Sequence, residues 1–317
     1  MSETDLEQID IMGIPLTVLN SYEQVVSRIL DSIGRKQNVS CVAINPEKIY
    51  RARRDKELRM VIQSADYCIC DGVGVAMAVR LLFRRKIPRI TGIQLFFELV
   101  ARAETRKLRI FLLGGSPESN EGAFHKLKQM HKKLVIAGRQ HGFFTDEDEV
   151  IAQINKSRAD MLFVALGSPR QEKWIAQYRD RLKVPYCMGV GGSLDVLSGK
   201  TPRAPHLFRK TGTEWIYRLA REPSRVQRQA FLAIFALSLI WHYFYMKVRS
   251  VSSRSRGIPF DVKIPNELTA KTLTDSEQGI DLHRASSVDD LFEELDSCPD
   301  RSVQERLQAS RETGEGS

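Results

Sequence analysis

Short, almost continuously apolar runs alternate with amphipathic stretches along the first two thirds of the chain. Val39–Ile44, Tyr67–Cys70, Ile110–Leu113, Leu134–Ala137, Met161–Leu166 and Tyr186–Val190 have no polar face, which predicts strands covered on both sides. Glu47–Ser64, Gly92–Ala103, Pro117–Lys132, Glu147–Ser157 and Pro169–Arg181 carry helical periodicity between them. Strand followed by helix, repeated, predicts an α/β fold: a Rossmann-like, largely parallel sheet with helices on both faces. Such sheets bind ligands where strand C-termini meet helix N-termini. Five turns fall at those junctions: Asn45-Pro46, Asp71-Gly72-Val73-Gly74, Gly114-Gly115-Ser116-Pro117, Gly167 to Glu172, and Gly191-Gly192-Ser193.

The pattern changes near residue 200. A basic segment carries Arg203, Arg209, Lys210, Arg218, Arg221, Arg225 and Arg228, and leads into an apolar run, Ala230–Met246. At about 17 residues that run reaches only about 25 Å as a helix, against a hydrocarbon core of ~30 Å. Trp241, Tyr243 and Tyr245 prefer an interface, and Lys247 and Arg249 follow, so a helix lying in the cytoplasmic leaflet is expected; a spanning helix stays open at this length, and a buried helix docked on the α/β core is the further alternative. From residue 257 onward the chain is polar and acidic, with too little clustered apolar surface for a core, and is expected to be mostly disordered. Three regions follow: a core over 1–200, a helical membrane-associating appendage over 201–250, and a tail over 257–317.

Charge sharpens this division. The net charge is +9, but the tail holds about 6 Lys and Arg against about 14 Asp and Glu, so the remainder stands near +17. A body this basic favours an anionic partner: a phosphate, a nucleic acid or an acidic leaflet. The five cysteines are odd in number and lack zinc spacing; Cys41, Cys68, Cys70 and Cys187 sit in apolar runs, as reduced buried thiols do. The N-terminus, MSETDLEQID, lacks a basic n-region and an apolar h-region, so no signal peptide is expected. Asp146-Glu147-Asp148 matches a metal-binding D-x-D, yet it stands at a helix start, where acidic residues serve as caps. The six histidines are scattered, and neither a metal nor another cofactor is expected.

Several junction residues carry chemistry. Asp71 follows a strand and precedes two glycines: it suits a general base, and equally a turn aspartate that caps the next helix. Asn45 can orient a substrate hydroxyl or stabilise its own turn. Arg89 offers a fork to a phosphate or a carboxylate. Gly114 and Gly115 precede a helix whose first N–H groups suit a diphosphate, and Gly191 and Gly192 end another strand. Glu172 in the first turn of a helix is favoured by the helix dipole alone.

At these junctions the chain resembles the WecG/TagA/CpsF glycosyltransferase family. The matching pieces are AINPEKI, CDGVGV, PRITGIQL, FLLGGSPES, GFF, ALGSPRQEKWI, GVGGSLDVLSGKTPRAP and TEWIYRLAREPSRVQR, in the family's order over roughly residues 10–228. The resemblance implies an inverting, metal-independent transferase. It would move a sugar of the ManNAc, ManNAc-uronic acid or glucose type from a UDP-sugar to a polyprenyl-diphosphate-linked saccharide, at the cytoplasmic membrane face, for a surface or cell-envelope polymer. It also implies Asp71 as base; Asn45, Arg89, Gln171, Glu172, Arg218, Arg225 and Arg228 as substrate contacts; and Gly114, Gly115, Gly191 and Gly192 as the nucleotide side. Relatives often carry a threonine where this chain has Ala43, which bears on hydroxyl-dependent contacts there.

Two other classes stand beside this one. The basic body suits a nucleic-acid-binding protein, but its charge adjoins an apolar segment and no nucleic-acid motif is present, so nucleic acid is not an expected partner. A Rossmann-type oxidoreductase would need the G-x-G-x-x-G spacing, which Gly189-Val190-Gly191-Gly192 lacks. Homo-oligomerisation is left open by the sequence.

Overall fold

The computed structural model describes residues 6–202, Pro205, Phe208, Tyr217, Phe231 and residues 234–244, all within one compact unit, Met1–Val251. Arg218, Arg225, Arg228 and the acidic tail lie outside the described residues. The chain opens with a hairpin, β1 (Gln8–Ile11) and β2 (Ile14–Thr17), then α1 (Tyr22–Gly34) and β3 (Val39–Ile44). Next come α2 (Pro46–Ala52), α3 (Lys56–Gln63), β4 (Tyr67–Cys70), α4 (Val73–Phe83), α5 (Gly92–Arg106) and β5 (Arg109–Gly114). The order continues with α6 (Pro117–Met130), β6 (Val135–Gln140), α7 (Glu147–Ser157), β7 (Met161–Ala165), α8 (Arg170–Tyr178), a single 3-10 turn, β8 (Tyr186–Gly189) and α9 (Ser193–Leu197).

Six strands form one sheet in the order β4-β3-β8-β7-β5-β6, and every pairing in it is parallel. The expected Rossmann-like α/β architecture is therefore the one observed, and the five polar turns all leave the same edge of the sheet. One face packs on α1, α5, α6 and α9 through a single apolar cluster that includes Val26, Phe96, Leu99, Phe163 and Leu194. The other face is split. One cluster joins β3 and β4 to α2, α3, α4 and the hairpin; a second joins β5, β7 and β8 to α7 and α8. Between α3 and α8, where the two clusters part, lies a cavity of about 170 Å³ with Ser40, Ser64, Arg179 and Glu172 in its wall.

Two local outcomes differ from the sequence reading. Glu47–Ser64 is two helices, because Asp55 accepts the backbone N–H of Leu58 (2.9 Å) and starts α3 afresh after Arg53-Arg54. The hairpin, not singled out by periodicity, turns at Met12-Gly13, both with positive φ (58° and 86°), and buries Ile9, Ile11, Ile14 and Leu16. Thr17 Oγ1 accepts the N–H of Cys68 (2.9 Å), so the hairpin satisfies an edge donor of β4. Cys41, Cys68, Cys70 and Cys187 are free and buried, as expected, and burial pushes each thiol up to about 12.

Residues 234–244 are helical. Phe235 and Leu239 are buried in the cluster of α2, α3 and α4, and Phe231 stacks on Tyr50 of α2 with ring centroids 4.9 Å apart. Leu237 (68% exposed) and Trp241 (77%) face outward. The segment thus docks one face on the core and presents the other. No helix among the described residues is long and apolar enough to cross a membrane.

Candidate active site

Asp71 stands at the sheet edge, level with the end of β3: its N–H donates to the carbonyl of Ile44 (2.8 Å). Gly72 takes φ +116°, a conformation that only glycine adopts without strain. Two residues on, a Cβ on Gly74 would sit 2.7 Å from Cγ of Pro46, so glycine lets α4 start against the Asn45-Pro46 turn. On the other side, α5 begins beneath the Asp71 carboxylate. A Cβ on Gly92 would lie 3.1 Å from Cβ of Ala43 and 3.8 Å from Oδ2 of Asp71. Small side chains at 43 and 92 therefore floor the space beside the carboxylate. Arg89 enters the same region, since the next residue, Ile90, donates its N–H to the carbonyl of Cys70 (2.9 Å). The two charges act on the Cys70 thiol in opposite senses: after burial, Asp71 raises its pKa and Arg89 lowers it.

Asn45 caps α2, its Oδ1 accepting the N–H of Lys48 (2.8 Å). The side chain of Lys48, 5% exposed, turns inward beneath the turn. Its Nζ donates to the carbonyl of Ala43 (2.8 Å) and to Oε1 of Glu172 (2.8 Å). The same Glu172 oxygen accepts Nε2 of Gln171 (2.9 Å), while Oε1 of Gln171 accepts the N–H of Gly191 (3.0 Å). Gln171 and Glu172 are both buried, and Oε2 of Glu172 is buried without a hydrogen-bond partner. Burial raises the pKa of Glu172, but the Lys48 charge and the hydrogen bonds from Lys48 and Gln171 outweigh it and hold the carboxyl below its ordinary range. Through this chain the ends of β3, β7 and β8 are fastened together under the candidate site. Gln171 and Glu172, expected from the resemblance as substrate contacts, sit in that support with protein partners.

The glycine turns hold up differently. Gly114 (φ +106°) and Gly115 (φ +73°) turn back under α6, and a Cβ on Gly114 would lie 2.4 Å from the carbonyl oxygen of Ala165. Asn120, fully buried, donates Nδ2 to the carbonyls of Gly114 (2.8 Å) and Gln140 (3.1 Å), which stiffens the turn from behind. In the first turn of α6 the Ser116 hydroxyl oxygen accepts the N–H of Ser119 (3.2 Å). Gly191 takes φ +53° and, with its N–H on Gln171, is held rather than open, whereas Gly192 is exposed. Asp146 caps α7 by accepting the N–H of Glu149 (2.9 Å), Glu147 accepts the indole N–H of Trp174, and Asp148 pairs with Arg181 (2.6 Å). The D-x-D is thus a helix start. No cluster of potential metal ligands occurs among the described residues.

Lys48 is the residue that sequence reasoning missed. A lysine two places into a helix reads as solvated, and only the neighbours Ile49 and Ala52, buried on the same helix, hint at its direction. Removing it would leave Glu172 charged and buried without a counter-charge, so Lys48→Met is expected to cost about 3–5 kcal/mol in chemical denaturation at pH 7. Lys48→Met combined with Glu172→Gln is expected to recover much of that loss. The sign of the pH effect follows from the lowered pKa of Glu172. Its stabilisation is complete above the unfolded value near ~4.3 and is lost as pH falls through the lower folded value, so Glu172→Gln flattens the acid limb of stability. An equally steep acid limb in the variant would remove Glu172 from that role.

Comparison with known proteins gives this geometry its context. A family model described as "Glycosyl transferase WecG/TagA/CpsF family" matches residues 9–249. A second match, to a RelB antitoxin model, covers residues 243–295, almost all outside the described residues. Three relatives carry the name N-acetylglucosaminyldiphosphoundecaprenol N-acetyl-beta-D-mannosaminyltransferase. The Bacillus subtilis protein is 36% identical over 208 residues, 66% of this chain and 81% of its own length. The Bacillus spizizenii protein is 31% identical over 242 residues, 76% of this chain and 92% of its own. The Staphylococcus aureus protein is 34% identical over 232 residues, 72% and 90% of the two chains. With the strand-end turns in place and the match running from β1 to beyond the last described helix, the chain belongs to the WecG/TagA/CpsF family and is a glycosyltransferase.

Proposed function

We propose that the protein transfers a sugar from a UDP-sugar to a polyprenyl-diphosphate-linked saccharide with inversion at the anomeric carbon, using Asp71 as general base. The observation that carries this reading is the position of Asp71: at the ligand-binding edge of a parallel sheet, beside two residues with almost no side chain, in a chain of this family. The acceptor hydroxyl gives its proton to the Asp71 carboxylate as its oxygen attacks the anomeric carbon, and the bond from that carbon to the nucleotide diphosphate breaks on the opposite face. Charge on the departing diphosphate is assigned to arginines: Arg89 at the site edge, and Arg218, Arg225 and Arg228, which lie outside the described residues. Asn45, Gly114, Gly115, Gly191 and Gly192 shape the substrate space, and Gln171 and Glu172 act from beneath it. The names of the relatives make UDP-N-acetylmannosamine the first donor to try, with polyprenyl-diphosphate-N-acetylglucosamine as acceptor. Asp71→Asn is expected to cut kcat by about 10²-fold or more while donor binding and the melting temperature stay near those of the unmodified protein. EDTA should change little. Near-normal turnover by Asp71→Asn would return Asp71 to the role of a turn residue.

We further propose a peripheral seat on an anionic leaflet, where such an acceptor resides. Support comes from the outward face of residues 234–244, where Leu237, Ile240, Trp241 and Phe244 are exposed, and from Met77 and Leu81 on α4 with Arg80 and Arg84 beside them. Apolar side chains with flanking cations suit an interface between headgroups and acyl chains. The protein should float with vesicles containing anionic lipid, and Leu237→Glu with Trp241→Glu should abolish flotation without lowering the melting temperature. Equal flotation of that variant would contradict this seat.

A further inference from the structure

The N-terminal helix reaches the candidate site through one side chain. Tyr22 is the first residue of α1, and its phenol oxygen accepts the backbone N–H of Thr91 (2.7 Å) and lies 3.2 Å from Oγ1 of Thr91. Thr91 is the N-cap of α5, its Oγ1 also accepting the N–H of Gln94 (3.4 Å). The residue before it, Ile90, is tied to the end of β4 by its N–H on Cys70, and the residue after it, Gly92, touches the space under the Asp71 carboxylate. The segment Ile90–Gly92 is therefore hydrogen-bonded at two points, one on the strand that carries Asp71 and one on α1, while the Ile90 side chain is buried in the apolar cluster. Of the two hydrogen-bonded points, only the second depends on a side chain. The helices behind these residues are packed together by Val25, Val26 and Ile29 of α1 with Leu95, Phe96 and Leu99 of α5, so the phenol is not needed to keep α1 in place.

We infer that Tyr22 is a positioning residue for the transfer reaction: through Thr91 it fixes the start of α5 against Asp71, and so sets where the carboxylate stands relative to the acceptor hydroxyl. The inference rests on the reading of Asp71 as the base. Electrostatics agree with the geometry. Burial raises the pKa of the Tyr22 phenol, the hydrogen bonds with Thr91 oppose it, and the charges of Asp71 and Arg89 both reach the ring oxygen with opposite sign. A tyrosine in this position stays protonated; its lone pair takes the Thr91 N–H, and a hydrogen from one of the two hydroxyls bridges the phenol and Oγ1 of Thr91. Phenylalanine would fill the same volume and supply neither bond. The N–H of Thr91 would then lack its partner, and the α5 start would be free to shift by the few tenths of an ångström that matter beside a reacting group.

The test is a double-mutant cycle with Tyr22→Phe and Asp71→Asn, read as kcat, KM for the UDP-sugar and melting temperature on the full chain. Tyr22→Phe is expected to lower kcat by about tenfold at 25 °C, with donor KM changed by less than twofold. In the Asp71→Asn background the same substitution is expected to change kcat by less than twofold, because it acts through the carboxylate that is already gone. Thr91→Ser, which retains the hydroxyl and the backbone N–H, is expected to keep kcat within about twofold of the unmodified protein. A fall in melting temperature with kcat unchanged would make Tyr22 a structural residue only and overturn the inference. So would a tenfold loss repeated in full on the Asp71→Asn background. Failure of the base assignment itself would show separately, as near-normal turnover by Asp71→Asn alone.

Discussion

A buried ion pair between Lys48 and Glu172 does what apolar packing does elsewhere in the molecule. On the face of the sheet opposite α1 and α5 the core is divided into two clusters, and this pair, 2.8 Å from nitrogen to oxygen, lies between the strand ends that belong to each. A buried pair of this kind is a weak source of net stability, because desolvation offsets most of the attraction. Its geometric consequence is larger. Lys48 also takes the carbonyl of Ala43, and Glu172 takes Gln171, which in turn holds Gly191. Three strands that are far apart in sequence thus end in a common polar knot, and the turns above it are fixed relative to one another. Buried polar groups can be exchanged for apolar ones with little loss of stability, but an apolar replacement of Glu172 would remove the acceptor that orients the Gln171 amide toward Gly191.

The other half of the site is organised from the opposite face. Asp71 is set by a backbone bond to Ile44, by the glycines that let α4 start against Pro46, and by the start of α5 below it. The helices that follow the neighbouring strands β3 and β8 pack on opposite faces of the sheet, α2 on one and α9 on the other, so the edge above these strands is where an open α/β sheet leaves a crevice. Asp71 and Arg89 stand on one side of that crevice, and the turns at Gly114 and Gly191 on the other. Ala43 belongs to both halves: its carbonyl is bound to Lys48, and its methyl group faces Gly92. A residue at this position with a hydroxyl would place a new polar group against Gly92, on the floor of the space that the Asp71 carboxylate borders, which ties the identity of residue 43 to acceptor contacts in the proposed reaction.

Much of this was legible in the sequence, and the reasons are specific. The strands of the parallel sheet are apolar on both faces, so Val39–Ile44 and Tyr67–Cys70 stand out with the bounds that the structure gives them. Glycines and prolines mark the turns, because Gly72, Gly114, Gly115 and Gly191 take positive φ. Tertiary partners are what the pattern does not carry. Nothing within AINPEKI says that Lys48 turns inward, since its acceptor is a glutamate 124 positions away. Nothing around Ser21-Tyr22 says that its phenol meets a helix cap 69 positions later. At α6 the side chain of Ser116 takes the N–H of Ser119, a local partner for one of the helix's first N–H groups.

The claim that the polar knot governs the ligand-side turn is open to direct measurement by native-state hydrogen exchange at the Gly191 amide, which donates to Gln171. In the unmodified protein this amide should be protected. In Lys48→Met, compared under conditions where both proteins are folded, its protection should fall by about tenfold or more while amides in the middle of β7 keep theirs. Unchanged protection at Gly191 in that variant would show that the turn is held without the Lys48–Glu172 pair, and would contradict the account.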